Sequence, residues 1–379
     1  MRGKSLAWAT AALCLAGGAA RAENPQLDAE IARLMTLGKV PGVAVAVVEN
    51  GKVAHVTAMG VRNEKGDPLA PQTVMYAASI TKAVFAYYVM MLVDEGKLDL
   101  DTPIATYLKK PLPEYKAYAD LAGDERWRAI TPRMLLGHSA GFPNFRWLNP
   151  DEKLDIKFAP GSRYAYAGEG INLMQFVIEQ GLGIKVGEDM DRRLFKPLGM
   201  SRSGMVWRDD FAPDIADGRD EAGKWQPHDD RSSVKAAGSL DTTIADMARM
   251  AAAMNSGWGL SKKARAEFTR GSLPIVSRSE FPTLSEETNP DNARIKLAAG
   301  VGVVTFEGPQ GHAFFKGGHN DITDNMMVCV EKRRRCVIVL TNSGEGQRIF
   351  PSVVKAALGE TGMPWAWEYS RLLPVEAPD

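Results

Sequence analysis

Cysteine is scarce: Cys14, Cys329 and Cys336 are the only three in 379 residues, too few to staple a disulfide-framework fold and unlike the paired spacing of a zinc site. The five histidines, His55, His138, His228, His312 and His319, show neither His-x-His nor His-Glu-x-x-His spacing. No metal and no cofactor is therefore expected. Net charge is lacking as well, since 46 Lys and Arg oppose 46 Asp and Glu. That balance gives no broad basic face for nucleic acid and no attraction to an acidic membrane, which leaves a small molecule or short peptide as the expected partner. Internal repeats and low-complexity tracts are missing too, and no apolar run reaches the roughly 20 residues that cross a bilayer. Oligomeric state has no signature in the chain.

The N-terminus reads as a processing segment. Arg2 and Lys4 form a basic start, Leu6 to Ala20 is apolar or small, and Ala20-Arg21-Ala22 offers small residues for cleavage. We read residues 1–22 as a signal peptide and 23–379 as one exported, periplasmic or secreted domain. An oxidising compartment would permit a bridge between Cys329 and Cys336, which a tight turn centred on Lys332-Arg333 would set opposite one another. Two reduced strand cysteines are the other reading, and the sequence leaves both open.

Val43 to Glu49 and Val53 to Met59 are β-prone runs joined by Asn50-Gly51, a two-residue hairpin signal. Short β-prone runs return at Val301 to Phe306, Ala313 to Lys316, Asn325 to Val330 and Cys336 to Thr341, before a helical pattern at Ile349 to Leu358. Between them the chain has helical periodicity, Pro/Gly punctuation and polar loops, with Ser279 to Ala293 read as one such loop. The fold class expected is α/β in the α+β sense. The N-terminal hairpin and C-terminal meander, residues 23–78 and about 295–379, share an antiparallel sheet flanked by the terminal helices, and residues 79–294 form an inserted, mainly helical lobe. A cleft between the lobes is the natural binding site.

The candidate chemistry starts at Ser79-Ile80-Thr81-Lys82, which opens a helix whose apolar stripe includes Phe85, Tyr88, Val89 and Leu92. Positions three apart share a helix face, so the Lys82 amine can reach the Ser79 hydroxyl, and desolvation would make it a base. Two further segments carry suitable groups. Pro160-Gly161-Ser162-Arg163-Tyr164-Ala165-Tyr166-Ala167-Gly168 supplies loop-borne phenols able to relay a proton. Phe315-Lys316-Gly317-Gly318-His319 supplies a cation on a predicted strand, with glycines that permit close backbone approach. The backbone N–H groups of Ser79 and His319 could then hold an oxyanion.

With these three elements in this order, the chain resembles the serine β-lactamase and penicillin-binding-protein superfamily. It is most similar to the branch holding class C β-lactamases, D-alanyl-D-alanine carboxypeptidases and related esterases. Ser79-x-x-Lys82 matches the nucleophile motif, Tyr166-Ala167-Gly168 the Tyr-x-Asn motif, and Lys316-Gly317-Gly318 the Lys-Thr-Gly motif. The tyrosine five residues after the turn glycine, Gly161, is Tyr166, which singles it out from Tyr164. The resemblance implies an acyl-enzyme on Ser79, with Lys82 and Tyr166 managing protons and Lys316 keeping the field positive. It also implies substrate contact near Gly168, Gly317, Gly318 and His319. Gly168 and Gly317 stand where lactam-processing members carry asparagine and threonine or serine, so ester or amide cleavage is expected ahead of β-lactam hydrolysis. A true β-lactamase or D-alanyl-D-alanine carboxypeptidase, and a non-catalytic binding member of the fold, are the alternatives.

One rival motif competes. Gly137-His138-Ser139-Ala140-Gly141 spells Gly-x-Ser-x-Gly, the nucleophile elbow of α/β-hydrolases. That elbow joins a strand to a helix, whereas Thr131 to Leu136 reads as a helix start and Phe142-Pro143-Asn144 as loop, so Ser139 is taken as structural.

Overall fold

The computed structural model describes residues 24–373; the expected signal peptide lies outside them. After a helix, α1 (Pro25–Gly38), the chain forms β1 (Gly42–Glu49) and β2 (Lys52–Gly60). Their turn residues Asn50 and Gly51 have φ of 52° and 74°, the left-handed pair that a type I′ hairpin needs and that Asn-Gly adopts at least cost. Six more strands complete one sheet: β3 (Leu273–Pro274), β4 (Ala298–Ala299), β5 (Val304–Gly308), β6 (Gly311–Asn320), β7 (Thr323–Val330) and β8 (Arg335–Thr341). The order is β2-β1-β8-β7-β6-β5-β4-β3, with every neighbouring pair antiparallel. The first hairpin thus docks on the last strand, with Val43 opposite Thr341 and Val48 opposite Cys336.

Both faces of that sheet are covered, which explains why β1 reads as an unbroken apolar run rather than an alternating one. Val43, Val45 and Val47 pack with α1 and the C-terminal helix Phe350–Leu358, while Ala44, Ala46 and Val48 face the inserted lobe. The lobe's main helices are α2 (Ile80–Asp94), α3 (Gly168–Gly181) and α4 (Ile244–Ser256). α2 is buried nearly all round, from Ile80 through Met90. It runs through the centre of the lobe and carries its first turn against the sheet.

Two expectations need adjustment. The sheet extends past its expected boundary near 295, because Leu273–Pro274 adds an edge strand from the segment assigned to the helical lobe. The strand expected at Val301 begins at Val304, after Gly302 turns with φ of 73°. Cys329 and Cys336 are directly opposed across β7 and β8 and joined by a disulfide; of the two readings left open, this is the one adopted.

Candidate active site

Ser79 stands at the mouth of α2 with φ −74° and ψ −2°, and its side chain makes no capping bond. Its hydroxyl is therefore not spent on the helix. Ala78, just before it, has φ of 46°, a conformation costly for a residue with a Cβ and held by its surroundings. Those surroundings are visible: Ala77 N–H donates to Leu240 O at 3.0 Å, and the Thr81 hydroxyl donates to Ala78 O at 2.5 Å while accepting from Leu240 N–H at 3.1 Å. The 236–240 segment thus braces the nucleophile turn, a role that no motif in that segment announces.

Lys82 lies one turn along the same face, 1 % exposed. Its Nζ donates to Ser79 Oγ at 2.8 Å and to Ala237 O at 2.5 Å. Burial, reinforced by the charge of Lys316, holds this amine well below the usual lysine range, while Glu280 acts in the opposite direction. The uncharged amine that a base requires is the favoured form.

The Tyr166 ring sits between two lysines, 5.0 Å from Lys82 Nζ and 4.9 Å from Lys316 Nζ. Lys316 and Ser79 both favour the phenolate, yet burial outweighs them and pushes the hydroxyl up to about 12. The Tyr166 hydroxyl is therefore held as the neutral phenol, with Lys316 only partly offsetting its burial. For Lys316 itself, burial favours the amine, but Tyr166, Glu280 and Glu368 together raise it above the ordinary lysine range. Tyr164 points elsewhere, donating its hydroxyl to Glu280 Oε1 at 2.7 Å.

The tyrosine loop is held from behind by the Gly137–Gly141 segment. Ala165 N–H donates to His138 O at 2.8 Å, Ala167 N–H to His138 Nδ1 at 3.2 Å, and Gly161 N–H to Ser139 O at 2.7 Å. The segment follows a short helix, Pro132–Leu136, capped by Thr131. A strand-to-helix elbow is absent here, and Ser139 is a buried brace.

The strand glycines are filled from the protein side. A Cβ at Gly318 would lie 2.6 Å from Ala77 O and 2.9 Å from Ser79 N, so the missing side chain is what lets β6 lie against the start of α2. A Cβ at Gly317 would overlap Glu368 Oε1 and the Tyr369 hydroxyl. At Gly168 it would overlap the Phe145 ring, and the Gly168 N–H donates to Asn144 Oδ1 at 3.0 Å. The volumes that asparagine and threonine side chains would take are occupied by Phe145 and by Glu368 with Tyr369.

Ser79 opens into a cleft of about 640 Å³ walled by Tyr118, Phe145, Trp147, Phe176 and His319. Trp147 stacks on Phe145, centroids 4.2 Å apart and planes 7° apart, and is 60 % exposed. The cleft is thus rimmed by aromatic rings. His319 is held neutral, pulled down to about 4 by burial and by Lys316, Lys82 and Arg371. A second cavity of about 750 Å³ at the far edge of the sheet, by Pro274 and Ala298, contains none of the candidate residues.

A family comparison adds what geometry alone does not. The sequence model described as beta-lactamase matches residues 27–356. The chain belongs to the beta-lactamase family. Among curated relatives, the "Probable fimbrial assembly protein FimD, serogroup H1" of Dichelobacter nodosus is 31% identical over 238 residues, covering 55% of this chain and 56% of its own. Esterase EstB of Burkholderia gladioli is 27% identical over 225 residues, 52% of this chain and 55% of its own. The matches therefore span about half the length of these relatives. A solved beta-lactamase/D-alanine carboxypeptidase from Pseudomonas syringae superposes with a TM-score of 0.71 at 17% identity, covering 88% of this chain and 98% of the other. At that identity the likeness is one of fold, and it agrees with the antiparallel sheet and helical lobe described above.

Two groups close to the site, Glu280 and Glu368, have no counterpart in the motif reading. Glu280 lies in the segment read only as a polar loop, and Glu368 in a short helix, Trp365–Glu368, beyond the last motif. Each is 8 % exposed or less, and no local pattern distinguishes a glutamate destined for burial from one in water.

Proposed function

We propose that this protein is a serine hydrolase that cleaves an ester or amide of a small molecule or short peptide through an acyl-enzyme on Ser79. The observation that carries this is the 2.8 Å bond between Ser79 Oγ and the Nζ of a fully buried lysine. Neutral Lys82 takes the Ser79 proton as Oγ attacks the carbonyl carbon, and the N–H groups of Ser79 and His319 receive the oxyanion. The proton then passes from Lys82, directly or through the Tyr166 hydroxyl, to the departing alkoxide or amine. Water attacks the acyl-enzyme by the same route in reverse, releasing the acid and restoring the Ser79 hydroxyl.

The aromatic rings of the cleft wall support esters with an apolar acyl group as the preferred class, and the name of the relative Esterase EstB supports ester cleavage in general. With Phe145 and Glu368 standing where polar lactam-recognising side chains would lie, β-lactam turnover is the lesser activity. A serine-directed phosphonate should label Ser79 alone, and p-nitrophenyl butyrate should be hydrolysed faster than nitrocefin. Labelling at another residue overturns the nucleophile assignment; strong nitrocefin turnover without esterase activity reverses the substrate order and favours a β-lactamase or D-alanyl-D-alanine carboxypeptidase. Full biological function in a Ser79→Ala variant would instead favour a binding protein.

Export after cleavage at Ala22 is part of the same proposal. The basic start and small-residue site of residues 1–22 support it, as does the Cys329–Cys336 bridge, which suits an oxidising compartment. N-terminal sequencing of protein recovered from the periplasm or medium should begin at Glu23; recovery of an intact Met1 from the cytoplasm argues against it.

A further inference from the structure

Two carboxylates from distant parts of the chain converge on the strand that carries Lys316. Glu280 is 3 % exposed and Glu368 8 % exposed, and their segments are tied together by the Glu280 N–H donating to Trp367 O at 2.7 Å. Glu280 Oε1 accepts from Tyr164, while its Oε2 and both oxygens of Glu368 have no well-aligned hydrogen-bond partner among the described residues. The Gly317 N–H and Tyr369 hydroxyl favour the charged form of Glu368 only weakly against burial and the repulsion of Glu280. Glu368 occupies the room that a side chain at position 317 would take. Both acids act on Lys316, and Lys316 is the cation that favours the charged form of Glu368. With burial and a neighbouring carboxylate both opposing its charge, Glu368 is the group on which a proton is retained most readily.

We propose that Glu368 is a positioning residue whose proton sets the charge of the active site. Protonated, it leaves the Lys316 charge unopposed by Glu368 beside Tyr166; ionised, it adds a negative charge there and slows attack by Ser79. The inference rests on the Ser79–Lys82 hydrolase reading. Burial and Glu280 push Glu368 up to about 8, so the change falls within the working range of a hydrolase. Other titratable or charged groups face the same place. Lys316 and His319 come from β6, Tyr164 and Tyr166 from the tyrosine loop, His138 from its brace, Lys82 from α2, Tyr369 and Arg371 from the C-terminal segment, and Asp324 from β7. Asp324, pushed up to about 7 by burial, is the competitor that a test must separate.

The test is the rate of Ser79 phosphonylation by a p-nitrophenyl phosphonate, followed by intact-protein mass from pH 6 to 10. Wild type should slow above about pH 8. Glu368→Gln, nearly isosteric, should lose that alkaline limb and at pH 9 gain about tenfold over wild type relative to their ratio at pH 7. Glu280→Gln should move the limb down by about one pH unit, because the repulsion that raises Glu368 is gone. Asp324→Asn should leave the limb in place. A limb unchanged in Glu368→Gln, or lost in Asp324→Asn, overturns the proposal. If Glu368→Gln does not fold, failure of the limb to move down in Glu280→Gln overturns it equally. No labelling of Ser79 in wild type defeats the hydrolase reading itself, a result distinct from labelling whose pH profile the variants do not move.

Discussion

A lysine stripped of water this completely pays for its charge, and Lys82 holds its free amine against Ser79 for that reason. Because its pKa is depressed, the base is present above that pKa and lost as pH falls through it. Esterase activity should therefore drop on the acid side in wild type, and Lys82→Ala should lower kcat/KM about 10²- to 10⁴-fold while erasing the acid limb. Position 317 offers a different kind of test. Restoring the threonine of lactam-processing relatives by Gly317→Thr forces a side chain onto Glu368, and overpacking of this kind costs about 1–3 kcal/mol in denaturant unfolding. Gly317→Thr with Glu368→Ala should recover part of that loss, the Tyr369 hydroxyl still crowding the new Cβ; no recovery would mean that Tyr369 sets the clash. The motif residues Ser79, Lys82, Tyr166 and Lys316 were legible because each is fixed by local spacing. The reason for Gly317 was not, since it lies about fifty positions away along the chain in Glu368.

At the scale of elements, legibility followed length and chemistry. The hairpin of β1 and β2 could be read from Asn50-Gly51 and two apolar runs, and Gly51→Val, which puts a β-branched residue at φ 74°, should cost about 1–2 kcal/mol in urea unfolding without altering the active-site serine. An unchanged midpoint would mean that the turn relaxes to another type. Two-residue strands such as Leu273–Pro274 carry too few side chains to show a period, so the sheet's far edge was invisible in the sequence. The Gly137–Gly141 segment was readable only by exclusion: a capped helix before it ruled out the elbow, but its part in holding the tyrosine loop rests on hydrogen bonds between residues some 25 apart.

Across the whole molecule, the bridge between Cys329 and Cys336 closes only a short hairpin, with a sequence separation of 7. Loop-closure entropy for so small a ring gives about 2.5 kcal/mol, so Cys329→Ser with Cys336→Ser should lower the urea midpoint and leave the fold standing. Unfolding of the double variant at room temperature without urea would show that the bridge matters more than chain entropy allows. The lobe arrangement was legible from where the β-prone runs lay, but the register that joins β1 to β8 was set by packing on both faces. That pairing also fixes when the molecule can act. Ser79 and Lys82 are made early in synthesis, yet the strand bearing Lys316 and the segment bearing Glu368 come last, and contacts of such sequence separation form slowly. A ribosome-bound chain stopped before residue 316 would carry Ser79 and Lys82 without the Lys316 cation, so the proposed acyl transfer has to wait for the strand Gly311–Asn320 to be made and docked.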